Sequence, residues 1–365
     1  MNAATIQLHN LSIGYRHKQQ VHPIATELNA TLHSGQLTCL LGANGVGKST
    51  LLRTLSAFLP PLEGEITLLG KPLESYNDKA LARTLSVVLT ERIDVPDLHV
   101  ADTVALGRTP YTGFLGRLTP IDQHHIEAAM QATGITPLAH RELHTLSDGE
   151  RQKTMIAKAL AQDTPIIFLD EPTAFLDYPS KVEMMQLLHR LSRTMQKTIF
   201  LSTHDLDLAL QLADCVWLLD EQGHLTTGLP ESLILDGTLP HFFQSDGVYF
   251  DSTTGHFTVH HRPLPYSPVI LTGTGLPRLM VQRALQRQGF TLLDAPTTTE
   301  EQPTRAEEKA LILTATQDTN GAPCFVLASN TSAVPLHFSS IEALLEALKA
   351  ITNAAPSPTI PYSKP

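Results

Sequence analysis

The chain has 365 residues, 42% of them hydrophobic, which is enough for a packed core and argues against global disorder. Twenty-six Lys and Arg stand against 36 Asp and Glu, a formal charge of -10, so the basic surface that nucleic acid requires is missing and no nucleic-acid partner is expected. Three cysteines, Cys39, Cys215 and Cys324, are scattered singly, without pairing or metal-ligand spacing, as suits a reducing compartment.

In chain order, Ile6–Leu8 and Gly64–Leu69 predict antiparallel strands that cap one side of a domain. Gln36–Leu41, Leu85–Leu89, Ile166–Asp170, Thr198–Ser202 and Val216–Leu219 are short apolar runs alternating with helix-like segments. That alternation predicts an α/β domain with a mixed, mostly parallel sheet over the first 240 or so residues. Between about 91 and 146 the pattern becomes helical, with Ile121, Ile126 and Met130 marking one apolar face of a short helix. Past Phe250 the texture changes. Residues 251–267 read as a linker rich in His and Pro, 268–352 as a small α/β accessory domain, and 353–365 as a disordered tail. Met1–Asn10 shows no secretion signal, and nowhere does the sequence approach the ~18 consecutive apolar residues of a membrane-spanning helix.

The stretch Gly42-Ala43-Asn44-Gly45-Val46-Gly47-Lys48-Ser49 fits the pattern G-x-x-x-x-G-K-[ST], after a predicted strand and before a predicted helix that continues through Thr50. Glycines there let backbone N–H groups turn inward around phosphate oxygens, and the following helix offers its positive end to the same anion. Lys48 would reach the β and γ phosphates of ATP, and the Ser49 hydroxyl would ligate Mg²⁺.

Four apolar residues, Ile166–Leu169, run into Asp170-Glu171, placing two acids at the carboxyl end of a strand, where α/β sheets bind ligands. Asp170 suits a contact to Mg²⁺ through water, and Glu171 the general base that polarises an attacking water. A second buried strand, Ile199–Ser202, leads through Thr203 into His204, either a structural histidine or a sensor of the γ-phosphate.

Between these elements lies Leu146-Ser147-Asp148-Gly149-Glu150-Arg151-Gln152, which resembles the signature motif of ABC ATPases. The resemblance covers roughly residues 5–240, in the motif order of that family. It implies a P-loop NTPase cassette with a helical subdomain at about 91–146 inside a first domain of residues 1–250. It also implies a homodimer in which Leu146, Ser147, Asp148, Gly149 and Glu150 meet the ATP held by the opposite subunit. Tyr15 matches the aromatic that stacks on adenine, Asp177 the loop joining the two ATP sites, and His204 the switch histidine that acts with Glu171 and Lys48. The family's glutamine at the end of the strand Leu85–Leu89 is replaced by Thr90-Glu91, which predicts an altered metal geometry there with coupling retained.

Val100–Tyr111 and Glu171–Asp177 are similar to importers of iron–siderophore complexes, haem and vitamin B12, with the siderophore branch nearest. The implied protein is the ATP-hydrolysing subunit at the cytoplasmic face of the inner membrane. It would serve separate transmembrane permease subunits fed by an extracytoplasmic substrate-binding protein. A haem or vitamin B12 importer, or a soluble ABC ATPase outside transport, stands as the alternative. In the accessory domain, Thr272-Gly273-Thr274-Gly275 reads as a tight turn in preference to an anion site, and in the linker His256, His260 and His261 read as solvated in preference to a metal site.

Overall fold

The computed structural model describes residues 3–18, 20–89, 97–113, 116–244, 248–251, 256–259, 264, 266, 268–293, 310–318, 321–328 and 334–353. They fall into two compact units, Met1–Phe243 and Gln244–Pro365. The division precedes the boundary expected after residue 250, and the paired strands Val248–Asp251 and His256–Val259 occupy part of the stretch read as linker.

The first unit is built on a six-stranded sheet in the order Leu225–Gly228, Cys215–Leu219, Leu37–Leu41, Thr198–Ser202, Ile166–Asp170, Leu85–Val88. Every neighbouring pair is parallel except the first, which is antiparallel. Leu37–Leu41 and Thr198–Ser202 are buried along their whole length, as continuous apolar runs in a doubly covered parallel sheet must be. Phe168, Phe200 and Trp217 stack across three of these strands at ring separations of 5.4 and 4.9 Å and anchor the core. Parallel direction has one consequence for function. The carboxyl ends of Leu37–Leu41, Ile166–Asp170 and Thr198–Ser202 share one edge, with Asp170 in register with Ser202.

A second, antiparallel sheet runs Gln20–His33, Ala4–His17, Glu63–Leu68, Lys71–Pro72. It contains the two early strands expected from the sequence and a long partner, Gln20–His33, that the sequence hid. That strand carries Pro23 and several register shifts, so its alternation is broken, and it lies at the sheet edge, where a missing N–H is tolerated.

The helical part contains Val100–Ala105 and Pro120–Thr133, and the helix Asp148–Ala161 packs against both. Thr119 and Asp122 form a capping box at the start of Pro120–Thr133. Ile121 does not share the apolar face of that helix: it is 68% exposed, whereas Ile126, Ala129, Met130 and Thr133 face inward. At 100° per residue, Ile121 points well away from Ile126, and the capping residue Asp122 takes the inward position. Buried Arg108 pairs with Asp122 (Nε to Oδ1, 2.8 Å), donates from Nη1 to the Ala161 carbonyl at 2.8 Å and lies 3.9 Å over the Tyr111 ring.

In the second unit five strands run in the order Leu292–Leu293, Val269–Gly273, Leu311–Gln317, Pro323–Ala328, Leu336–Phe338. The first three are parallel and the last two antiparallel to their neighbours. The helices Gly275–Arg287 and Ile341–Asn353 bring Val281, Leu285, Leu344 and Leu348 onto Leu311, Leu313 and Ala315, alternate positions of the central strand. Among the described residues no helix is long and apolar enough to cross a membrane.

Candidate functional site

The phosphate loop joins the strand Leu37–Leu41 to the helix Lys48–Leu55. Gly47 caps that helix at φ +111°, and a Cβ there would lie 2.4 Å from Ile24 Cγ2, so both backbone and space demand glycine. Gly45 is different: at φ +81° its backbone asks for glycine, but no atom stands within 4 Å of a would-be Cβ. Ala43, Asn44 and Gly45 are exposed, and Val46 is half-buried. Lys48 curls across the loop, its Nζ donating to the carbonyls of Gly42 and Ala43 at 2.9 Å each. Burial pushes the Lys48 ammonium below its ordinary pKa, while the nearby Glu171 and Asp170 carboxylates oppose that shift.

The adjoining acids are held by one continuous set of hydrogen bonds. Ser49 Oγ donates to Asp170 Oδ1 at 3.2 Å, and Ser202 Oγ donates to the same oxygen at 2.7 Å. Ser202 Oγ in turn accepts from the Glu171 backbone N–H at 2.9 Å. Glu171 Oε1 and His204 Nε2 meet at 2.6 Å, with both side chains partly open to solvent. Glu171 has φ +47°, a conformation uncommon for any residue but glycine, which turns the chain sharply at the strand end. The hydroxyls of Tyr15 and Thr50 lie 3.2 Å apart, setting the ring of Tyr15, which is itself partly exposed, beside the first turn of the phosphate-loop helix.

Residues 42–50, Asp170, Glu171, His204 and Tyr15 are thus linked by short contacts at one edge of the sheet. The signature residues lie elsewhere, at the start of the helix Asp148–Ala161. Ser147 caps that helix: its Oγ accepts from the Glu150 N–H at 3.3 Å and donates to Glu150 Oε2 at 2.9 Å. Glu150 also accepts from the Ser147 N–H, and these bonds hold its carboxyl below the usual pKa range. Leu146 is buried under the turn, and a Cβ on Gly149 would come no closer than 3.8 Å to its neighbour Ser180. Asp177 caps the neighbouring helix Tyr178–Thr194, accepting from the Ser180 N–H at 3.0 Å. Thr90 and Glu91, and likewise His260 and His261, fall outside the described residues. Among the described residues no group of three or more His, Cys, Asp or Glu is arranged to hold a metal ion.

Sequence reasoning missed Ser202, Thr173, Lys181 and Asp205. Asp205 takes hydrogen bonds from Thr173 Oγ1 at 2.6 Å and Lys181 Nζ at 2.9 Å.

Residues 25–174 match the ABC transporter family, and residues 266–349 match the iron ABC transporter C-terminal domain. An uncharacterized ABC transporter ATP-binding protein of Methanocaldococcus jannaschii is 35% identical over 282 residues, 76% of this chain and 96% of that protein. The ferric enterobactin transport ATP-binding protein of Escherichia coli is 35% identical over 64% of this chain and 84% of its own length. The petrobactin import ATP-binding protein FpuD of Bacillus anthracis is 40% identical over 58% of this chain and 77% of its own. Among solved structures, CbiO1 of Clostridium perfringens, part of the ABC transporter complex CbiONQ, aligns with a TM-score of 0.56 at 26% identity, covering 66% of this chain and 94% of that one. With relatives at 35% identity matched over most of their length, the chain belongs to the family of ABC transporter ATP-binding proteins, which bind and hydrolyse ATP.

Proposed function

We propose that the chain powers uptake of an iron–siderophore complex, as a homodimer docked on separate permease subunits at the cytoplasmic face of the inner membrane. The observation that carries the catalytic part is the unbroken run of hydrogen bonds from Ser49 through Asp170, Ser202 and Glu171 to His204. The cargo is supported by the ferric enterobactin and petrobactin relatives and by the iron ABC transporter C-terminal domain. An extracytoplasmic substrate-binding protein would deliver that cargo to the permease.

The hydroxyl of Ser49 and the carboxylate of Asp170 are hard oxygen donors side by side, a set that fits Mg²⁺. Bound there, Mg²⁺ would supply positive charge against the β and γ phosphates. This chain's own residues do the rest. Backbone N–H groups of residues 42–50 and the start of the helix Lys48–Leu55 take the phosphates, and Lys48 turns its ammonium from the loop carbonyls to the anion. Tyr15, held beside Thr50, would stack on the base. Glu171 takes the proton of the attacking water through its carboxylate, and His204, now paired with Oε1, moves its ring N–H toward the γ-phosphate. Ser147 and Gly149 offer hydroxyl and backbone donors to the ATP of the opposite subunit. A Cβ on Gly149 would make only ordinary contact with Ser180, so none of the described residues requires a glycine there, which supports that reading.

The test is cellular uptake of ferric siderophore, haem and cobalamin in a strain lacking the endogenous gene, complemented with wild type or Glu171→Gln. Loss of ferric siderophore uptake alone in the variant supports the proposal. Loss of haem or cobalamin uptake alone reassigns the cargo, and three unaffected uptakes refute an importer role.

A further inference from the structure

Asp205 directly follows His204 and occupies the N-cap position of the helix Leu206–Leu212. An aspartate there ordinarily accepts hydrogen bonds from the first turn of its own helix. This one does not: its side chain makes no capping hydrogen bond. Both carboxylate oxygens instead reach across to the segment that follows Glu171. Oδ2 accepts from Thr173 Oγ1 at 2.6 Å, and Oδ1 accepts from Lys181 Nζ at 2.9 Å.

The two partners bracket a functional stretch. Thr173 lies two residues after Glu171, and Lys181 lies in the first turn of the helix capped by Asp177. Residues 173–181 are therefore held at both ends to the turn that carries His204, and that stretch begins two residues after Glu171. Other bonds fix that turn in the core: the Asp205 N–H donates to Thr203 Oγ1 at 3.0 Å, and the Thr203 N–H donates to the Leu40 carbonyl at 3.1 Å. Thr173 and Thr203 are buried, so water does not readily replace the hydroxyl bond.

We propose that Asp205 is a positioning residue for ATP hydrolysis, which fixes Glu171 relative to His204 by holding Thr173 and Lys181. Its two carboxylate oxygens are engaged by Thr173 and Lys181. It sets the backbone from which Glu171, at φ +47°, projects toward His204. Losing either grip lets the 171–177 turn move by fractions of an ångström, and a small displacement of a general base is costly in rate. The inference rests on the role of Glu171 as base given above.

The experiment compares Mg·ATP turnover of full-length wild type, Asp205→Ala, Thr173→Val, Thr173→Ser and the double variant Asp205→Ala/Thr173→Val. Affinity for a non-hydrolysable ATP analogue and thermal unfolding are measured alongside. Thr173→Val keeps side-chain shape and removes only the hydroxyl. The expected result is a roughly 10- to 100-fold fall in kcat for Asp205→Ala and for Thr173→Val, with analogue affinity within about twofold of wild type. The double variant should be no slower than Asp205→Ala alone, because both remove the same linkage. Thr173→Ser, which restores the hydroxyl, should recover most of the rate. Unchanged kcat in Thr173→Val, multiplying losses in the double variant, or a loss that falls on affinity instead of kcat overturns the proposal. If Asp205→Ala does not fold, Thr173→Val against Thr173→Ser decides. Failure of the underlying reading looks different: Glu171→Gln would then turn over ATP as fast as wild type.

Discussion

Ser202 and Asp170, in register on neighbouring parallel strands, share a 2.7 Å hydrogen bond, and the same serine oxygen accepts the N–H of Glu171. One hydroxyl thereby orients a proposed metal-binding carboxylate and the backbone of the proposed general base. Ser202→Ala should lower kcat about tenfold and raise the Mg²⁺ concentration needed for half-maximal rate, while costing only about 1 kcal/mol of stability. Steady-state ATPase assays across a Mg²⁺ titration, beside a thermal melt, check this. A variant with wild-type kcat and Mg²⁺ dependence removes Ser202 from the account.

Gly47 should tolerate no side chain. Gly47→Ala places a methyl against Ile24 in a left-handed backbone, so it should weaken ATP-analogue binding at least ~30-fold, with backbone strain of about 1–2 kcal/mol. Gly45→Ala meets no neighbour and should suffer the backbone strain alone. Calorimetric titration of the two variants ranks them, and equal affinities would contradict the steric argument.

The Arg108–Asp122 pair gives a prediction about pH. Hydrogen bonds from Thr119 and Arg108 hold the Asp122 carboxyl down to about 2, below its unfolded value. A depressed carboxylate stabilises the fold above its unfolded pKa, so this contribution is complete above about pH 4 and is lost as pH falls toward 2. Acid-unfolding curves of wild type should therefore be steeper between pH 4 and 2 than those of Asp122→Asn. At neutral pH, Arg108→Met leaves a buried carboxylate without its partner and should cost about 3 kcal/mol. Denaturant melts measure that loss, and one below about 1 kcal/mol would argue against a tightly held pair.

The strands that carry the site were legible because each is a continuous apolar run ending in polar residues: Ile166–Asp170 and Thr198–Ser202 fall where their sequences place them. Gln20–His33 was not, since Pro23 and its register shifts erase the period of two. Ile121 misled because a helix assigned from apolar residues alone ignores the inward demand of the capping residue Asp122. Ser202 and Asp205 were invisible for a deeper reason. Their partners, 31 or 32 residues distant for Asp170, Glu171 and Thr173, are set by strand register and by the turn after it, which local pattern does not encode. Asp205 even reads locally as a helix cap, the role that its side chain gives up.

Glu171, held against His204, is the proposed base for ATP hydrolysis. Its most direct test is single-turnover hydrolysis of Mg·ATP by purified wild type and Glu171→Gln. The glutamine variant should bind ATP as tightly as wild type but hydrolyse it about 10²–10⁴-fold more slowly. Hydrolysis at the wild-type rate by Glu171→Gln, with binding intact, would contradict it.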